Sequence, residues 1–230
     1  MSEIIGNFLF FGMAVNIIGY SLGLFIRKRF KLPLFNPLLI SVVFVMIVLS
    51  VLRIDYDSYN NSAKYLSYLL TPATVCLAIP LYQQLALLKR HVKAIFAGII
   101  SGVIASMGSV FLLSLLFHLS HEQYVTLLPK SITTAIGMGM SEEMGGIVTI
   151  TVAVIIVTGI LGNIIAETVC RIFNITEPVA KGIAIGSAAH AIGTTKAMEM
   201  GEIEGAMSSL AIAMAGLTTV ILASVFSGLL

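Results

Sequence analysis

A chain of 230 residues with 58% apolar side chains, a mean hydropathy of +1.03 and only 13 Lys and Arg against 11 Asp and Glu excludes an ordinary soluble fold and places the protein in a bilayer. The net charge of +2 is scattered, which excludes a nucleic-acid surface, because phosphate binding needs cations gathered on one face. Cys76 and Cys170 are too few for a disulfide framework or a cysteine metal site, and both are expected to be inert thiols.

Along the chain, residues 4–26, 32–52, 65–88, 94–121, 144–166 and 205–230 carry no Lys, Arg, Asp or Glu. Each is long enough to cross a hydrocarbon core, which takes about 20 helical residues. The first run lacks a basic segment and a small-residue cleavage site, so it is expected to be a retained helix. Arg27, Lys28, Arg29 and Lys31 follow it, and Lys89, Arg90 and Lys93 follow the third run. Cations are held on the cytoplasmic side during insertion, which puts the N-terminus outside and the loop with Arg53, Asp55, Asp57 and Lys64 outside as well. Pro33 and Pro37 mark the turn between the first two runs, which read as scaffold, lipid contact or dimer surface. The third run contains Pro72 and Pro80; each removes a backbone donor and crowds the preceding turn, so a broken or kinked helix is expected there. In lipid such a break survives only where protein or a water-filled cavity satisfies the freed groups.

Two shorter charge-free pieces, 131–141 and 182–195, follow, and they match each other. Pro72 to Pro80 aligns 57 residues on with Pro129 to Gly137, and a further copy begins at Ser187. Between 131–146 and 187–202 seven of sixteen positions agree, among them Ser131/Ser187, Gly137/Gly193 and Glu143/Glu199. The unit is an interrupted polar segment followed by a long apolar helix whose glycines (Gly98 and Gly102, Gly159 and Gly162) allow close approach. The reading is an all-α polytopic membrane protein of about 7–9 helices. It has scaffold helices in 1–64, repeated units at 65–121, 122–178 and 179–230, and broken or re-entrant segments of the kind that carry transporter sites.

The interrupted segments hold the candidate chemistry. Lys130 stands beside Pro129 with Ser131, Thr133 and Thr134, and the break is expected to extend to Gly137. A lysine at mid-membrane costs about 2.5–3.5 kcal/mol on insertion, so one retained there faces a cavity or a partner. With the hydroxyls and the N–H groups of a half-helix start it favours a carboxylate. The other reading has Lys130 snorkelling and the hydroxyls bonded to their own helix. Ser187, His190, Gly193 and Thr194 form the second part of the substrate site, His190 as an imidazole able to donate to a carboxylate or exchange a proton. Glu199 and Glu202 are the other candidates for proton coupling, with solvated helix ends as the plainer account; Lys196 is expected to pair with Glu199. The four histidines share no helical face, no nucleophile, base and acid set is present, and no metal, cofactor or enzymatic activity is expected.

The stretch Leu128 to Thr134, the run from Gly182 through His190-Ala191-Ile192-Gly193-Thr194 to Ala211, and Thr71 to Tyr82 closely resemble the LrgB/CidB family, and the similarity covers nearly the whole chain. The resemblance implies a multi-pass protein of the bacterial cell membrane that modulates murein hydrolase export and autolysis in a holin/antiholin-like way, with a smaller LrgA/CidA-type partner. It also implies a link to pyruvate in bacteria and to glycolate and glycerate in plastids. Two expectations stand side by side. One is a secondary transporter of a small monocarboxylate, working as a homodimer or higher homo-oligomer; the other is a holin-like pore or regulator acting through oligomerisation. The apolar runs and the concentration of polar groups in two spots favour a solute site over a wide pore.

Overall fold

The computed structural model describes residues 10–30, 35–76 and 78–230, without the side chains of Leu70, Thr71, Thr74, Pro80 and Leu81. Lys31 and Pro33, expected at the first turn, lie outside the described residues. Every regular element among the described residues is a helix: α1 (Phe11–Phe30), α2 (Pro37–Leu52), α3 (Tyr56–Ser67), α4 (Leu70–Cys76), α5 (Ala78–Gln83), α6 (Leu85–Leu116), α7 (His121–Leu127), α8 (Thr134–Glu143), α9 (Val148–Ile172), α10 (Pro178–Met200) and α11 (Glu202–Ser227). Eight of them are ten residues or longer. Three, α6, α9 and α11, are both long and apolar enough to cross a membrane; α2 is apolar but has 16 residues.

The chain divides into two compact units, 1–76 and 77–230. In the first unit α1 buries Gly12, Val15, Gly19 and Gly23, and that bare stripe lets α2 and α3 close on it. A Cβ on Gly23 would stand 2.6 Å from the Pro37 carbonyl oxygen. The Gly12 N–H, in the first turn of α1 and so without an intrahelical acceptor, donates to Ser62 Oγ at 2.8 Å, and Asn16 Nδ2 donates to Tyr59 Oη at 2.7 Å. Where a loop was expected around Asp55 and Lys64, a polar helix forms. The Asp55 carboxylate caps α3 by accepting from Ser58 N at 2.9 Å.

Pro72 and Pro80 each occupy the third position of a short helix, α4 and α5. For Pro72, in the first turn of α4, a missing N–H costs no hydrogen bond; the stretch between α4 and α5 lies outside the described residues, and the chain next leaves the helix at Gln84. The long α6 is itself bent at His91, whose backbone departs from helical geometry.

The second unit is built on α6, α7, α10 and α11. Ile95, Ile99, Val103, Met107 and Val110 recur every three or four residues along α6 and pack against Tyr124, Val125 and Leu128 and against Ala206, Met207, Ala211 and Ala215 of α11. Tyr124 is fully buried and its hydroxyl donates to the Phe226 carbonyl at 2.7 Å, fastening α7 to the end of α11. Helix α10 lies against α6, α9 and α11. Gly182 and Gly186 meet the carbonyl oxygens of Glu204 and Ser208, an approach that no side chain would permit. Gly137 does not form a break: it lies inside α8, where a Cβ would run into Ile155 Cδ1 of α9. The interruption falls instead at 128–133, between α7 and α8. It rests on a buried knot in which Thr151 Oγ1 donates to the Thr126 carbonyl at 2.8 Å and accepts from Ser141 Oγ at 2.7 Å.

Candidate functional site

A cavity of about 1280 Å³ lies between α6, α9 and the first half of α10, and Lys130 and Ser131 from the α7–α8 interruption close one part of it. The Lys130 ammonium donates to Ser131 Oγ at 3.0 Å and to Ser106 Oγ of α6 at 3.2 Å, and Ser106 Oγ donates to Ser131 Oγ at 2.9 Å. An ammonium has three N–H donors, so this arrangement leaves one of them, together with the Ser131 hydroxyl hydrogen, to a ligand. Ser187 of α10 lines the same cavity against Gly102, which precedes Ser106 by one turn, about 6 Å along α6. Ser187 is 5% exposed and its Oγ has no hydrogen-bond partner. An unpaired buried hydroxyl costs about 1–3 kcal/mol, which an oxygen ligand in the cavity would recover. Ser114 is the other buried unpaired hydroxyl among the described residues, and it does not line the cavity.

The rest of the lining is mostly apolar or small, with Ser101 and Thr158 as further hydroxyls and His91 and Glu177 as the other titratable groups. Lys130 is the only Lys or Arg among the described residues that line it. Lys130, Ser106 and Ser131 therefore form one bonded cluster in the cavity wall, and Ser187 adds a free hydroxyl to the same mostly apolar lining.

His190, Gly193 and Thr194 lie in α10 but do not line this cavity; nor do Thr133 and Thr134, which start α8 half-buried, Thr133 as an N-cap without a side-chain bond. His190 marks the break in α10: its φ of 41° and ψ of −140° interrupt the helix in a region costly for a non-glycine residue, about 1–3 kcal/mol. Its Nε2 donates to the Ile155 carbonyl of α9 at 3.0 Å, which fixes the ring proton on Nε2 because a carbonyl only accepts. The ring sits on Gly159, where a Cβ would be 2.7 Å from Cε1. Thr194 Oγ1 donates to the His190 carbonyl at 2.9 Å and lies 2.7 Å from Ser208 Oγ of α11. Asn163 Nδ2 of α9 donates to the Ile192 carbonyl at 2.8 Å. A threonine one turn further on thus satisfies the carbonyl of the broken position, and α9 is bonded to the helix at and just beyond the break. His190 and Thr194 serve here as the built joint of the helix.

Among the proton-coupling candidates, Glu199 pairs with Lys196 at 3.6 Å, and Lys196 pairs more closely with Glu167 of α9 at 3.1 Å. Glu202 is exposed in the first turn of α11, where a carboxylate suits the helix N-terminus. Among the described residues no group of three or more metal-ligating side chains forms.

Sequence reasoning missed Ser106 and Asn163. A serine within an apolar run usually bonds its own helix, as Ser101 and Ser109 do, so Ser106 carried no distinguishing signal. Asn163 is an amide in the middle of a spanning helix, and that cost was a usable signal.

The model of the LrgB-like family matches residues 16–229. A protein of Bacillus subtilis (strain 168) is 35% identical over 218 residues, covering 94% of this chain and 94% of its own length. Proteins of Bacillus cereus (strain B4264) and Bacillus anthracis (strain CDC 684 / NRRL 3495) are also 35% identical, over 94% of this chain and 95% of theirs. All three are named antiholin-like protein LrgB. No solved structure matches the chain.

Proposed function

The chain belongs to the LrgB-like family, and from that premise we propose that it is a secondary transporter of a small monocarboxylate such as pyruvate in the bacterial plasma membrane, linked through that flux to the control of autolysis. The observation that carries the reading is the Lys130 ammonium held by Ser106 and Ser131 in the same cavity as the unpartnered Ser187 hydroxyl. One cation and the free hydroxyls of Ser131 and Ser187 suit one carboxylate. A second negative charge would be left against apolar walls, where an unpaired ion is costly. The breaks at 128–133 and at His190 supply the discontinuous helices on which transporters build sites, and Ser131 and Ser187 stand in corresponding positions of the proposed repeat.

Purified protein in liposomes should accumulate labelled pyruvate saturably. Absence of uptake, with and without a small LrgA/CidA-type membrane partner, overturns the reading. The relatives' name, antiholin-like, favours a second reading, a regulator that acts by oligomerising with such a partner. Graded leakage of dyes much larger than pyruvate from the same vesicles would put that reading first.

A further inference from the structure

The cavity is much larger than a three-carbon acid. At about 1280 Å³ it exceeds the roughly 300–1,000 Å³ of sites that hold drug-sized ligands. Its lining on α6 extends from Leu87 to Ser106, roughly 28 Å at about 1.5 Å per residue. Two stripes of small residues keep it open: Ala94, Gly98 and Gly102 on α6, and Ala180, Ala184 and Ala188 on α10, each repeating every four residues and so sharing one helix face. Ile183, Leu161 and Ile165 add to a mostly apolar wall, which Ser101, Thr158, His91 and Glu177 interrupt, while the one cation among the described lining residues is Lys130 and the buried Ser187 hydroxyl is unpartnered. A cationic head site that continues into a long, mostly apolar groove is the shape of an amphiphile.

We infer that the cavity takes monocarboxylates with an extended apolar tail, the carboxylate at Lys130, Ser131 and Ser187 and the tail between the small-residue stripes of α6 and α10. The inference deepens the transporter reading and rests on its placement of the anion. Pyruvate fills only the polar end of the groove. Each methylene added to a straight-chain acid then leaves water for the groove and tightens binding by up to about fourfold. An alcohol of the same length gains no such seat, because the donors at the head have no anion to hold.

The test is competition against labelled pyruvate uptake in proteoliposomes by acetate, butyrate, hexanoate and octanoate, with octanol as the tail-only control. The expected result is inhibition that strengthens at every step to octanoate, by more than tenfold overall, with octanol ineffective. Ala184→Phe, which places a ring in the groove, should weaken octanoate far more than acetate. Should that variant fail to fold, the wild-type series decides alone. Saturable pyruvate uptake with no dependence on chain length, or octanol as potent as octanoate, overturns the inference and leaves the transporter reading standing. A groove that instead receives a partner helix gives the same flat series, with an altered oligomer mass for Ala184→Phe. Where pyruvate uptake is absent, labelled octanoate binding to the protein in nanodiscs, corrected for empty discs, separates the two claims. Saturable binding lost in Lys130→Gln upholds the groove without transport, and its absence overturns both.

Discussion

The seat of the His190 ring on Gly159 can be tested by one methyl group. In Gly159→Ala the added Cβ would lie 2.7 Å from His190 Cε1, 2.9 Å from Nε2 and 2.9 Å from Ile192 Cβ, distances at which something must move. The ring is the part free to shift, and moving it breaks the 3.0 Å bond to the Ile155 carbonyl. Overpacking costs about 1–3 kcal/mol. A buried group left unpaired costs about 1–3 kcal/mol more. The gain in helix propensity from Gly to Ala, about 1 kcal/mol, offsets part of this and leaves a net destabilisation of about 1–5 kcal/mol. Gly108 of α6 is the control, since a Cβ there meets nothing within 4 Å and Gly108→Ala carries only the propensity gain. Thermal unfolding followed by circular dichroism in detergent, at matched detergent and lipid, reads both. Gly159→Ala melting at or above the wild-type temperature, alongside Gly108→Ala, would refute the seating of the ring and with it the account of the break.

Other consequences follow from the same contacts. Gly186→Ala drives a Cβ into the Ser208 carbonyl and to 2.8 Å from Ala211 Cβ, backbone and core that cannot yield, so it should separate α10 from α11 and lower the yield of folded protein; Gly139→Ala, with open space around it, should not. Glu167→Gln removes the 3.1 Å pair with Lys196, but Glu167 is 51% exposed, and the loss should stay below about 1 kcal/mol by the same melts. The Ser58 N–H holds the Asp55 carboxyl below its usual range. A carboxyl depressed in the folded state stabilises above its unfolded pKa, and that contribution is lost as pH falls through the folded value. Hydrogen-exchange protection at the start of α3, taken relative to the intrinsic rate at each pH, should therefore fall on acidification below the ordinary carboxylate range, and Asp55→Asn, which keeps the cap, should remove the dependence.

The architecture was legible where lipid imposes a cost. Charge-free runs gave the helices, and a histidine among glycines and alanines marked the break in α10, since polar groups are retained in such a place only when something holds them. The chain distance of 56 residues between Ser131 and Ser187 is also the distance between Thr134, where α8 begins, and His190, where α10 breaks. Residue type alone did not reveal direction. Gly137 looked like an interruption and is a point of close packing on Ile155, because a glycine in an apolar helix serves either purpose and the facing helix decides which. His190 and Ser187 are three residues apart, yet one turns to Ile155 and the other to the cavity, as the break between them and the crowding by three neighbouring helices dictate. Ser106 reached the site through the packing of α6 alone.

The central claim is that Lys130 and Ser187 hold the carboxylate of a transported solute. Counterflow of labelled pyruvate in proteoliposomes tests it most directly when wild type is compared with Lys130→Gln and Ser187→Ala at equal incorporation. Losing a bond to a charged group should weaken apparent affinity about 10- to 100-fold in Lys130→Gln, and losing a neutral hydroxyl donor about 2- to 10-fold in Ser187→Ala. Counterflow in wild type with unchanged affinity in both variants would contradict the claim and place the solute elsewhere in the protein.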